Sequence, residues 1–211
     1  MPRILITGFT PFDGRSENSS WIAALSLQRS LPGEELQCLQ IPVIWGEPAR
    51  LLTPICETGP PSIILSMGEG REGWFDVETV ARNQRKQRAD ERGNLPPQTH
   101  SHIGGPGERK ASIRGEAIVG ELTQQGFPSR LSTDAGGFLC EETLFAVETL
   151  KERFEQIATA LFVHLPPLDS ALIYRQQQRA CDESLLADFA GHLLTAVLQE
   201  HRKTVPAEAG S

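Results

Sequence analysis

The 211-residue chain lacks the features that mark several large classes of protein. Its four cysteines are too few and too scattered for a disulfide framework, and none forms the Cys-x-x-Cys pair of a structural zinc site. Its 20 basic and 27 acidic residues give a formal charge of −7, which argues against a nucleic-acid-binding surface. It has no apolar run long enough to cross a bilayer. We therefore expect neither nucleic acid nor membrane among its partners.

The composition is that of an ordinary globular protein, with 39% hydrophobic and 22% charged residues. At about 150 residues per domain, the length predicts one domain, which we place at residues 1–205. Residues 84–111 are charged, rich in proline and glycine and nearly free of apolar side chains, so they predict a long surface loop. Residues 206–211 predict a disordered tail. The N-terminus shows no signal-peptide pattern, and we expect a cytoplasmic location.

Apolar runs alternate with segments of helical spacing along the chain. The strands are expected at residues 3–7, 36–43, 62–67, 74–81, 130–133 and 160–164. The helices are expected near residues 19–31, with Ser19 or Ser20 as N-cap, and near 112–125, 140–154 and 182–199. This alternation predicts an α/β fold with helices on both faces of the sheet.

Residues 68–73 (GEGREG) match the glycine pattern of a dinucleotide-binding loop, because they follow an apolar strand. Such a site needs a helix to begin there, so that backbone amides meet the pyrophosphate. The next residues, 74–78, have an extended pattern instead, and two glutamates within the loop would repel phosphate. A tight turn at the end of the strand is the better interpretation.

Three side chains are candidates for nucleophilic catalysis. Cys140 follows two glycines and opens a helical pattern, where exposed amides favour a thiolate, although free cysteines are usually inert. His164 ends an apolar strand, at the edge where α/β proteins place their sites, although it could equally be a core histidine. Glu78 lies among apolar residues and would need a partner such as an imidazole N–H. Spacing alone leaves open whether the three meet.

Four segments together resemble one family of cysteine peptidases. Residues 7–14 (TGFTPFDG) are similar to the opening G-F-x-P-F-G-G of the pyroglutamyl peptidase I family, which removes N-terminal pyroglutamate from peptides. Residues 78–83 (ETVARN) are similar to its E-R-x-A-x-N segment. Residues 134–140 (DAGGFLC) match its S-A-G-x-Y/F-L-C segment, and residues 162–166 (FVHLP) match its histidine segment. The four occur in the order of the family and span nearly the whole chain.

The resemblance implies a three-layer α/β/α sandwich around a mixed, mostly parallel sheet. It implies Cys140 as nucleophile, His164 as base and Glu78 as the group that orients the histidine. The substrate-binding residues that it implies are Phe9 and Phe12, which would line a slot for the lactam ring, together with Asn18, Glu69 and Arg88. No metal or cofactor is expected; two histidines in the loop, His100 and His102, are poor candidate ligands. The partner would be a peptide with N-terminal pyroglutamate or a similar small amide, and a homo-oligomer is a further expectation.

The chain departs from the family pattern at several positions. It lacks the proline of the family's Asn-Pro-Ser segment at residues 18–20, has Thr79 in place of a basic residue, and retains only the arginine of R-x-P-D-N at 88–92. It carries two extra carboxylates, Glu69 and Glu141. These could select another cyclic or acylated amide, such as one with a cationic group. They could also leave an inactive relative that binds a peptide without turnover.

Overall fold

The strands and helices follow the apolar pattern in the part of the chain that the computed structural model describes, residues 2–31 and 36–204. The strands are β1 (Ile4–Phe9), β2 (Leu36–Ile41), β3 (Ile63–Glu69), β4 (Phe75–Glu78), β5 (Val80–Arg82), β6 (Glu108–Lys110), β7 (Ser129–Ser132), β8 (Thr159–Leu165), β9 (Ala171–Tyr174) and β10 (Gln177–Ala180). The helices are α1 (Ser19–Ser30), α2 (Glu47–Thr58), α3 (Gly115–Gln124), α4 (Leu139–Arg153) and α5 (Glu183–Thr204).

Six strands form the central sheet in the order β2-β1-β3-β8-β4-β7. The first four strands of this order run parallel, β4 runs antiparallel to β8, and β7 runs parallel to β4. The sheet is therefore mixed and mostly parallel, as expected. Two small two-stranded sheets, β5 with β6 and β9 with β10, lie outside it.

Helices cover both faces of this sheet, which confirms the three-layer prediction. Alternate residues of β1, β3 and β8 belong to two separate apolar cores. One core joins the sheet to α1, α3 and α5, and the other joins it to α2 and α4. Because both faces are covered, these three strands are buried along nearly their whole length and appear in the sequence as continuous apolar runs.

Several predicted elements differ from the structure. The predicted strand at 74–81 is two strands in different sheets, β4 and β5, separated at Thr79. The N-cap of α1 is Asn18, whose side chain accepts the backbone N–H of Ser20, and is neither of the two serines. Helix α2, strand β6 and the hairpin of β9 and β10 were not predicted. The expected tail at 206–211 lies outside the described residues.

The missed elements have local causes. Helix α2 begins after Gly46, whose φ of 86° is left-handed, and contains Pro54 in its interior, so its sequence has the marks of a loop. The hairpin turns at Arg175 and Gln176, which adopt φ of 48° and 65° without the glycine or asparagine that normally indicates such a turn. Among the described helices, none is long and apolar enough to span a membrane.

Candidate active site

Cys140 lies in the first turn of α4, on the face of the sheet that α2 and α4 cover. The chain reaches it through Gly136 and Gly137, which have left-handed φ of 93° and 68°. Among the residues that the structure describes, no side chain caps this helix end, so its first backbone N–H groups have no side-chain acceptor there. The positive end of the helix dipole therefore lies beside a partly exposed sulfur.

His164 and Glu78 meet across the antiparallel junction of the central sheet. Asp76 is the direct cross-strand partner of His164, and Glu78 lies two residues further along β4, so the two side chains are diagonal neighbours on one face. A Glu side chain is long enough to cover that diagonal. His164 Nδ1 and Glu78 Oε1 lie 2.7 Å apart, and both side chains are buried.

Cys140 lies in the wall of the same cavity as His164 and Glu78. Burial of His164 favours the neutral ring and acts to lower its pKa. Interaction with Cys140, followed by the hydrogen bond and charge of Glu78, outweighs burial and raises the pKa of His164 to about 10. The three side chains thus form one row along the cavity wall.

Two glycines of the GEGREG segment make room for this row. A Cβ on Gly68 would lie 2.7 Å from the Cys140 sulfur, and a Cβ on Gly70 would lie 2.6 Å from the Cβ of His164. Strand β4 begins after this segment, at Phe75, and no helix does. The absence of a side chain at these two positions is therefore required for steric reasons, independently of any phosphate binding.

Two adjoining cavities meet at Cys140. The first, which we call the aromatic cavity, has a volume of about 250 Å³. The residues in its wall include the predicted Phe9, Phe12, Asn18, Glu69 and Arg88, together with Val43 and Phe138. The second, of about 200 Å³, contains Glu78, Cys140 and His164. All of the predicted site residues therefore lie along one cleft.

Phe138 and Val43 were missed in the sequence. Phe138 lies within the segment that identified Cys140, and its ring lies 5.4 Å from that of Phe12, centroid to centroid. Its aromatic character next to the nucleophile was the signal that could have identified it. Val43 follows β2 in an unremarkable apolar run and carries no such signal.

Asn18 lines the cavity, but its polar atoms have partners within the protein. Its Oδ1 accepts the N–H and the hydroxyl of Ser20, and its Nδ2 donates to the Thr10 carbonyl at 3.2 Å. It thereby ties the start of α1 to the segment that carries Phe12.

The two extra carboxylates are also engaged. Glu69 pairs with Arg15 and accepts the N–H and hydroxyl of Ser19 at 3.2 and 3.1 Å. Glu141 is buried and accepts the backbone N–H groups of Arg82, at 2.5 Å, and Gly137, at 3.3 Å. Burial raises the pKa of Glu141. Glu141 does not line either cavity. Neither carboxylate is therefore a free charge in the cleft.

Other features of the described residues are simpler. Cys56 and Cys181 are buried, and burial raises the pKa of their thiols to about 11 and about 12, as it raises that of Cys38 to about 11. In the part of the chain that is described, no three His, Cys, Asp or Glu side chains are grouped to hold a metal ion.

A neighbouring cavity of about 500 Å³ shares Arg15 and Glu69 with the aromatic cavity.

Comparison with known proteins identifies a family that this chain matches. The family model for pyroglutamyl peptidase matches residues 2–198. The pyrrolidone-carboxylate peptidase of Streptococcus pyogenes serotype M3 (strain SSI-1) is 31% identical over 167 residues, which are 78% of this chain and 77% of that protein. Pyrrolidone-carboxylate peptidase 1 of Ralstonia nicotianae is 31% identical over 171 residues, which are 80% of each chain.

Solved structures have the same fold. The pyrrolidone carboxyl peptidase of Thermococcus litoralis superposes with a TM-score of 0.83 at 22% identity, covering 98% of this chain and 99% of that one. Pyroglutamyl peptidase I of Bacillus amyloliquefaciens gives a TM-score of 0.80 at 22% identity, covering 96% of this chain and 98% of that one. With its family model matched over nearly the whole sequence, the chain belongs to the pyroglutamyl peptidase family.

Proposed function

We propose that this protein is a cysteine peptidase that releases N-terminal pyroglutamate from peptides through a thioacyl intermediate. One observation carries the proposal: His164 is hydrogen-bonded to Glu78 and shares a cavity with Cys140, which also lines the adjoining aromatic cavity. This is the geometry that nucleophile, base and orienting group require for acyl transfer.

In the first half of the reaction, the Cys140 thiolate attacks the carbonyl carbon of the pyroglutamyl residue. The carbon–sulfur bond forms and the carbonyl electron pair moves to oxygen. Uncapped backbone N–H groups at the start of α4 act as donors to this oxyanion, a type of contact that contributes about 3–4 kcal/mol per donor. The carbon–nitrogen bond then breaks as His164 gives its proton to the leaving amine.

In the second half, the neutral His164 removes a proton from water, and the resulting hydroxide attacks the thioester carbon. Collapse of this second oxyanion breaks the carbon–sulfur bond and releases pyroglutamate with the thiolate restored. Throughout both halves, Glu78 accepts a hydrogen bond from Nδ1 and so leaves Nε2 for proton transfer.

Recognition depends on the flat, uncharged lactam ring of pyroglutamate. The rings of Phe9, Phe12 and Phe138 offer apolar faces that bury and stack against it. Arg88 lines both cavities and offers guanidinium N–H groups to a substrate carbonyl oxygen. Asn18 and Glu69 shape the wall through their internal hydrogen bonds.

A different amide substrate is the second candidate, and Glu69 is the residue that favours it. Its carboxylate lies in the wall of the cavity, where a cationic substrate group would meet it. Its pairing with Arg15 and Ser19 weakens this candidate, because little charge remains to recognise a cation. A relative without turnover is the third candidate.

A fluorogenic pyroglutamyl amide tests the proposal, with the matching prolyl and glutamyl amides as controls. We expect hydrolysis of the pyroglutamyl amide alone, together with fast alkylation of Cys140 by iodoacetamide that His164→Ala slows. Hydrolysis of another amide would support the second candidate. Absence of all hydrolysis, with alkylation independent of His164, would support the third. A cytoplasmic location and a homo-oligomer complete the proposal, and cell fractionation and light scattering test them.

A further inference from the structure

The segment from Asn83 to Asn94, which we call the wall, reaches the cleft through Arg88 and has no apolar core of its own. Arg85 extends from it into the protein, where its side chain is 6% exposed and meets Glu142 of α4, which is 3% exposed. The pairing is bidentate, with Nη2 to Oε1 at 2.8 Å and Nε to Oε2 at 3.0 Å. Glu142 lies two residues after the nucleophile, so this pair fastens the wall to the nucleophile's helix.

Glu142 and its neighbours also hold a third piece of chain. Its Oε1 accepts the backbone N–H of Gly46 at 2.9 Å, which fixes the residue before it, Trp45. The indole Nε1–H of Trp45 donates to the backbone carbonyl of Arg88 at 3.0 Å. The backbone N–H of Trp45 donates to Asp90 at 3.3 Å. Trp45 therefore holds the Arg88 carbonyl and the side chain of Asp90, two residues later.

Aromatic rings hold the other end of Arg88. Its guanidinium carbon lies 4.5 Å from the centroid of the Phe138 ring and 5.1 Å from that of Phe12, the two rings that line the aromatic cavity. Phe138 in turn meets Trp45 edge to face at 5.0 Å. The exposed Asp13 lies 3.5 Å from Arg88 and is its ion-pair partner among the described residues.

We infer that Glu142, Arg85 and Trp45 are positioning residues that fix the guanidinium of Arg88 over the substrate cavity. None of the three lines either cavity, so they act on substrate through a residue that does. Arg88 is that residue for the hydrogen bond of the Trp45 indole, whereas the contact of the Trp45 ring with Phe138 is a separate route. The inference rests on the proposed function, since it concerns that same site. Its physical basis is preorganisation: a half-exposed arginine loses side-chain freedom when it contacts substrate, and a scaffold that has already ordered it removes that cost.

A buried ion pair is weak evidence for stability, because desolvation of the two charges offsets their attraction. The bidentate fork has instead a geometric effect, since only one orientation of Arg85 satisfies both oxygens of Glu142. That orientation sets the path of the chain three residues later, at Arg88. A positioning role therefore fits the pair better than a stabilising one.

A double-mutant cycle on kcat/KM for the pyroglutamyl amide tests this inference. We expect Arg88→Ala to lower kcat/KM about 100-fold, and Glu142→Gln and Trp45→Phe to lower it about tenfold each, as lost positioning does. In the Arg88→Ala background, the same two substitutions should each change kcat/KM less than about twofold, because their target is gone. Trp45→Phe keeps an aromatic ring against Phe138 and removes only the N–H, so it reports on positioning even where Glu142→Gln folds poorly.

Glu57→Gln is the matched control, because it breaks an exposed ion pair, with Arg153, far from the cleft. It should leave kcat/KM unchanged in both backgrounds. If Glu142→Gln and Trp45→Phe lower kcat/KM by the same factor with and without Arg88, their role is structural and the inference is wrong, while the proposed function stands. If the wild-type protein does not cleave the pyroglutamyl amide, the proposed function and this inference fail together.

Discussion

The floor of the cleft and its wall are built in opposite ways. The floor consists of the ends of β3, β4 and β8, where apolar packing on both faces and strand register place Glu78 and His164. The wall, residues 83–94, has no regular structure and is held by buried charges and hydrogen bonds to α4 and Trp45. The floor is thus specified by local patterns of apolar residues, and the wall by polar contacts between residues distant in sequence.

The nucleophile, which α4 presents to the floor, should be dispensable for the structure but not for catalysis. We expect Cys140→Ala to lower kcat by at least about 10⁴-fold, because removal of the nucleophile leaves only binding and oxyanion contacts. Steady-state hydrolysis of the pyroglutamyl amide measures this. Cys38→Ala is the control, since Cys38 lies on the opposite side of the sheet in the other core and should leave kcat unchanged. Retained activity in Cys140→Ala would remove Cys140 from the mechanism.

The orienting carboxylate should have the next largest effect. We expect Glu78→Gln to lower kcat about 10²–10⁴-fold, because a neutral amide neither fixes the imidazole tautomer nor stabilises its charge. The pKa of His164, raised to about 10 in part by Glu78, should fall. Since activity on the alkaline side ends when the imidazolium loses its proton, the alkaline limb of the pH profile should move to lower pH by about one unit or more. If the alkaline limb of the pH profile does not move, a group other than His164 sets it.

The close packing of the floor can be tested without removing any functional group. Gly68→Ala would place a Cβ 2.7 Å from the Cys140 sulfur and 2.9 Å from Cζ of Phe162, so the sulfur and the ring have to shift. We expect kcat/KM to fall about 100-fold, because a displacement of about 1 Å in an acyl-transfer site has effects of this size. Gly120→Ala is the control: this residue lies in α3, a Cβ there meets nothing within 4 Å, and the substitution should raise stability by about 1 kcal/mol. Wild-type kcat/KM in Gly68→Ala would contradict the tight packing.

Another carboxylate of α4, Glu148, extends the comparison to stability, because its side chain is buried and its Oε1 has no hydrogen-bond partner among the described residues. Burial raises the pKa of Glu148 to about 7 from 4.5, against weaker opposing effects of hydrogen bonds to Ser112 and of Lys151. Because the folded state holds this proton more tightly than the unfolded chain, stability falls as pH rises from about 4.5 to about 7 and is level above that.

Glu148→Gln removes this dependence. We expect the variant to resemble the wild type near pH 4.5 and to exceed its free energy of unfolding by about 2–3 kcal/mol at pH 8. Urea unfolding at the two pH values measures the difference. Glu155→Gln, an exposed position just after α4, should keep the wild-type pH dependence. Equal slopes in wild type and Glu148→Gln would show that Glu148 does not titrate in this range.

The contrast between the floor and the wall also explains which features the sequence could predict. Strands β1, β3 and β8 are apolar runs because both of their faces are buried, and the three side chains of the central row lie in segments with a family pattern. The contact of Arg85 with Glu142 joins residues 57 apart in the sequence, and no local periodicity indicates it. Trp45 was missed for the same reason, since its role depends on a backbone carbonyl of a distant segment. Glu141 was expected near substrate but binds backbone amides, a distinction that needs coordinates.

The antiparallel pairing of β4 with β8 has a consequence for the quality of any preparation of this protein. Side chains alternate between the two faces of a strand, so a slip of one residue would turn Glu78 to the opposite face, away from His164. A misaligned molecule would keep a sheet and its helices but have no orienting carboxylate. We therefore expect the specific activity per folded molecule to fall in proportion to the fraction of chains whose β4 and β8 are out of register.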